Sequence, residues 1–127
     1  MNPRRGARLI AIGRVAIGAA VLAAPEPVMS RWLGRDNAKL DAVQALGRGL
    51  AARDLGLALA TLQTLDDPVI GPRVQAACAF ADGVDAVGTL LARRSLPRVG
   101  VIGTVAVAGG AAVAGLCFSH RLAHEEV

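Results

Sequence analysis

The stretch LGRGLAARDLGLALATL, Leu46 to Leu62, constrains the fold more than any other. It has the length and oiliness of a membrane-spanning helix, yet Arg48, Arg53 and Asp54 lie within it. An Arg or Asp near the centre of such a helix costs about 2.5–3.5 kcal/mol, and each Leu returns only about 0.3–0.6 kcal/mol. The leucines from Leu46 to Leu65 therefore do not offset three deep charges. A helix of this composition needs neighbours that neutralise it.

Three further apolar segments supply such neighbours. The four together run over about 9–24, 40–65, 70–92 and 99–119, separated by the breakers PEP, DDP and SLP. Only the fourth is free of charge over its whole length and passes a strict hydropathy test on its own. A soluble Gly/Ala-rich four-helix bundle is the competing fold. It would need a broad polar face on each helix, and most of these segments have apolar residues on nearly every side, with only a few charges set among them. Hydrophobic residues make up 54% of the chain and mean hydropathy is +0.47, both high for a soluble domain. The expectation is an all-α, four-transmembrane-helix bundle, a single integral membrane domain over 1–127 with the lipid bilayer as its partner. A multi-pass protein of the inner membrane fits this pattern.

The N-terminus has a basic start, an oily run and small residues before Pro25, which resembles a signal peptide. Arg14 interrupts the run, so a retained first helix is the preferred reading. Four spans place both termini on one side, with Arg4, Arg5, Arg8, Arg73 and Arg121. The other side holds Arg31, Arg35, Lys39, Arg93, Arg94 and Arg98, so positive-residue counting is neutral. The basic N-terminus favours cytoplasmic termini. Between the first two spans, PEPVMSRWLGRDNAKLD predicts a short interfacial helix with Trp32 and Leu33 at headgroup level, and Asp36 or Asn37 as N-cap of the second span.

Partners for the charged helix are legible. The first span contributes Arg14 and the third contributes Asp82 and Asp85, making three Arg and three Asp with Arg48, Arg53 and Asp54. Equal numbers suit a buried ion-pair network. At about 100° per residue, Gln75, Cys78, Asp82, Asp85 and Thr89 fall within about 80° of arc. Phe80, Val84, Val87 and Leu91 occupy the opposite side. The third span is thus expected to turn a polar seam inward and an aliphatic back to lipid. Arg53 and Asp54 lie about 140° and 240° around from Arg48, so the second span is central or some of its charges snorkel. In the fourth span Ala106, Gly110 and Ala114, continued by Gly103 and Cys117, form a small-residue seam suited to packing within the bundle or against a second copy.

Several chemistries find little support. Net charge is +4, but the arginines are scattered and only Phe80, Phe118 and Trp32 are aromatic, so no nucleic-acid partner is expected. Cys78 and Cys117 read as small buried hydrophobes. His120 and His124, four apart with Glu125 adjacent, fix no third ligand, and a solvated tail is the plainer reading, so no metal is expected. No phosphate loop, HExxH or CxxC implies a cofactor. Ser30, Ser95 and Ser119 lie at or near loops and no His falls within a span, which argues against an enzyme. Two readings of the charge set remain. In one it is an internal scaffold of a structural or accessory membrane component, self-associating through the fourth span or joined to another membrane protein. In the other it lines a cavity of a small transporter or ligand-binding protein, where Asp82 or Asp85 takes a proton or a cationic group.

Three motifs carry a family resemblance: GRVAIGAAVLAAPEP, LGRGLAARDLGLAL and FADGVDAVGTLL. With them the chain resembles the bacterial membrane proteins grouped as domain of unknown function 4267, and more distantly the DoxX-type four-helix proteins, from Arg8 to about Ser119. The resemblance implies a four-helix integral membrane bundle. It carries over no catalytic residue, and DoxX-like links to redox complexes find no redox motif here.

Overall fold

A computed structural model describes residues 2–124. They form six helices and no strand: α1 (Pro3–Ala23), α2 (Pro25–Leu33), α3 (Arg35–Ala38), α4 (Asp41–Thr64), α5 (Ile70–Leu91) and α6 (Arg98–Ala123). The all-α expectation holds. Three helices, α1, α5 and α6, are long and apolar enough to cross a membrane, where strict hydropathy singled out one. At 24 residues α4 has the length, but Asp41, Arg48, Arg53 and Asp54 keep its composition apart from theirs.

Local chemistry explains the boundaries. Helix α1 starts at Pro3, earlier than the apolar run, because Pro suits the first helical position and the Asn2 side chain accepts from the Arg4 N–H at 2.9 Å. Its first turns therefore carry Arg4, Arg5 and Arg8. Ala24, forced out of helical geometry by the following proline, separates α1 from α2. Gly34 holds φ at +89° between α2 and α3, a conformation that disfavours any side chain. The expected N-cap of α4 is not Asp36 or Asn37. Leu40 occupies that position without a side-chain cap, while Asn37 donates back to the Leu33 carbonyl at 2.8 Å.

At the start of α5 the Asp67 carboxylate accepts from the Val69 and Ile70 N–H groups, both at 2.8 Å. These bonds, Ile70 first, hold its carboxyl below the ordinary value of 3.8. A depressed folded value contributes stability above the unfolded value and loses it as pH falls through the folded one. Asp67→Ala should therefore lower the melting temperature at neutral pH, and the gap from wild type should close as pH drops well below 3.8. A gap constant with pH would show that the cap does not act through the carboxylate.

The long helices associate as two tight pairs. α1 packs along α4, and α5 packs along α6, with much less contact between the pairs. One end is closed by Ala7, Leu65, Phe118 and Leu122. The other is covered by α2 and α3, where Val21, Met29, Ala38 and Ala51 form a second small core. Outward faces of all four helices are apolar: Leu9, Ile17, Leu46, Leu59, Phe80, Val84, Val87, Val99 and Val113 are all exposed. The seam deduced for α5 turns inward, with Gln75, Cys78, Asp82 and Thr89 buried and Phe80, Val84, Val87 and Leu91 exposed.

Candidate functional site: an ion-pair chain on the wall of a cavity

Halfway along α1, α4 and α5 the charged side chains meet. Arg14 donates through Nη2 to Asp82 and through Nη1 to Asp54 Oδ1 at 3.4 Å, and Nη2 also reaches the Cys78 carbonyl at 3.5 Å. Arg53 grips Asp85 with two parallel bonds, 3.1 and 2.6 Å. Its Nη2 also donates to Asp54 Oδ1 at 2.9 Å. The result is a line of alternating sign: Asp82, Arg14, Asp54, Arg53, Asp85. Forked guanidinium contacts of this kind fix orientation as well as charge. Because α1, α4 and α5 each contribute, the line ties the two helix pairs together where their own packing is thin.

The line does not include Arg48. That side chain is exposed and has no hydrogen bond or ion pair among the described residues. It points away because Gly47, one residue earlier, is the position turned inward against Met29. The expected balance of three against three is thereby corrected. Two arginines face three aspartates.

A cavity of about 910 Å³ lies beside this line, with Arg14, Arg53, Asp54, Asp82 and Asp85 on its inner wall. Its sides are α1, through Gly13, Ile17 and Val21, and α6, through Gly103, Val107, Gly110 and Ala114. Ile17 and Val107 are both lining and exposed, so the cavity opens sideways between α1 and α6. Met29 and Trp32 of α2 roof one end.

The seam expected on α6 behaves differently from the expectation of packing within the bundle. Gly103, Ala106 and Gly110 are exposed, and a Cβ added at Gly103 or Gly110 would meet nothing within 4 Å. Gly103, Gly110 and the half-buried Ala114 are wall residues of the cavity. Close packing of α6 uses Gly115 instead, where an added Cβ would lie 3.1 Å from the Ala79 Cβ, and Gly100 against α2. Cys117 is exposed, whereas Cys78 is buried, and neither forms a disulfide. Trp32 is also corrected: its indole N–H donates to Thr89 Oγ1 at 3.1 Å, so the ring turns into the bundle.

Trp32 and Arg31 were not singled out as site residues from the sequence, although Val28, Met29 and Trp32 recur at helical spacing and that signal marks an inward face. A second polar tether joins α4 and α5 below the charges. Gln75 donates to Thr61 Oγ1 at 3.2 Å, which lies 3.6 Å from Cys78 Sγ. The rings of His120 and His124 lie 4.2 Å apart, tilted at 41°, and belong to no metal-holding group among the described residues, and Glu125 lies outside them. Fold and site together define a helical protein, with three helices long and apolar enough to cross a membrane, whose interior carries a charged wall beside a cavity. No family model, no curated protein and no solved structure matches the chain.

Proposed function

We propose that the chain is a four-span protein of the inner membrane that binds a small amphipathic molecule in the cavity between α1 and α6, as a ligand-binding protein or transporter. The observation that carries this reading is the cavity of about 910 Å³ with a five-member charged line on its wall. An ion-pair set that only held the helices together would need no cavity of this size beside it, whereas a ligand does. Helix α4 serves as the fourth span. Its 24 residues exceed the roughly 20 needed to cross a bilayer core, and Arg53 and Asp54 are neutralised from within. Four spans place both termini on one side, the cytoplasmic one by the basic start of α1. The affinity with the domain of unknown function 4267 and DoxX-type groups belongs to the same proposal and rests on the three motifs.

Two measurements test it. After washing membranes at alkaline pH, the protein should remain in the pellet; release into the supernatant would refute the integral assignment. Protein purified in detergent should carry an extractable amphiphile in about equimolar amount, and Gly110→Leu, which fills the open space beside α6, should be depleted of it. Wild type as empty as the variant, with no thermal shift from added amphiphiles, would refute the ligand reading. The accessory-component reading retains one specific support, the exposed Ala106 and Val113 on α6. Cross-linking through Cys117 in membranes would reveal self-association on that helix.

A further inference from the structure

The charges on the cavity wall select among ligand classes. Asp54, Asp82 and Asp85 against Arg14 and Arg53 leave a sum of one negative charge when all five are ionised. Two carboxylate oxygens are left over by the ion pairs. Asp54 Oδ2 and Asp82 Oδ1 accept no hydrogen bond among the described residues. Neither is a sealed atom, and both residues line the cavity, although Asp82 as a residue is only 7% exposed. A single negative charge at this depth is costly unless a positive group joins it.

The geometry narrows the partner further. The three carboxylates do not converge into a metal-holding group. An anion would be repelled, and a neutral molecule would leave the charge uncompensated. Arg31 also lines the cavity, but it is exposed to solvent screening and forms no ion pair with Asp54, Asp82 or Asp85. Beyond the charges the wall is apolar and slim along Gly103, Val107, Gly110 and Ala114, and it leads outward between two apolar helix faces.

We propose that the cavity holds an amphiphile bearing one positive charge on a small headgroup, with that headgroup against Asp82 and Asp54 and its apolar part lying between α1 and α6. This rests on the ligand-binding reading and specifies its chemistry. A zwitterionic headgroup would bring its own negative charge and leave the sum unchanged.

The chain has one tryptophan, and it lines the cavity. Trp32 emission is therefore a direct probe of occupancy. Full-length protein in nanodiscs of zwitterionic lipid is titrated with decyltrimethylammonium, decanol and decanesulfonate. The expected result is a saturable change in emission with the ammonium alone. Asp82→Asn, which brings the sum to zero, should weaken the ammonium by about tenfold, equivalent to about 1.4 kcal/mol. Gly110→Leu should weaken it at least as much while leaving every charge in place, and it keeps the test valid if Asp82→Asn fails to fold. Saturable binding of decanol or decanesulfonate as tight as that of the ammonium would overturn the cation assignment and leave the cavity reading standing. Absence of saturable binding by all three would overturn both. Ammonium binding unaffected by Gly110→Leu would place the site elsewhere.

Discussion

Arg14→Met is expected to lower stability by about 3–5 kcal/mol, the range for breaking a buried ion pair from one side. Arg14 is 7% exposed and serves Asp82, Asp54 and the Cys78 carbonyl at once. Without it, Asp82 loses its ion-pair partner and Asp54 and Asp85 share Arg53. Arg14→Lys should recover only part of the loss, because an ammonium keeps the charge but lacks the planar fork that reaches three acceptors. Pairing Arg14→Met with Asp82→Leu removes both members of the most buried ion pair and should restore much of the stability. Denaturation in detergent, followed by the helical signal, reads all three. A melting temperature for Arg14→Met equal to wild type would show that the charged line does not hold the bundle.

Gly100→Ala is the second large effect. A Cβ there would stand 2.2 Å from the Trp32 carbonyl oxygen and 2.9 Å from that of Arg31, both backbone atoms that cannot rotate aside. Helix α2 must lift from α6, straining the bond between Trp32 and Thr89. Overpacking typically costs about 1–3 kcal/mol, and backbone clashes fall at or beyond the upper end. Gly103→Ala, three residues later, meets nothing within 4 Å and gains helix propensity of up to about 1 kcal/mol. Two identical substitutions on one helix should thus move stability in opposite directions, with Trp32 emission shifting to the red in Gly100→Ala alone. Equal effects would contradict the seating of α2 on α6.

The contrast between these glycines marks where sequence reasoning stops. Spacing at four identifies Gly103, Ala106, Gly110 and Ala114 as one face, but not which face a neighbour covers. The neighbour is set by the short chain reversals at 24 and 34, and those bring α2 to Gly100. For α5 the polar residues themselves mark the inward side, since Gln75, Asp82 and Thr89 have no stable place in oil. That seam was legible from periodicity alone. The charges of α4 surround their helix, so angle alone gives no way to separate Arg53 from Arg48. Only the position of α5 decides it. The cavity was legible only as one of two readings of the charge set, because empty space is a property of how helix pairs splay and no residue type encodes its size or its opening.

The alternating line of charges also has an order in time. The chain leaves the ribosome from its N-terminus, so Arg14 precedes α4, and Asp85 follows Arg53 by 32 residues. At about 5–20 residues per second, Asp85 emerges about 2–6 s after Arg53. During that interval Asp54, directly adjacent to Arg53, is its nearest counter-charge, with Arg14 already made on the other side. The middle aspartate is thus the first acid of the line to be made, and a nascent Asp54→Asn chain would carry Arg14 and Arg53 with none of the line's acids until α5 arrives.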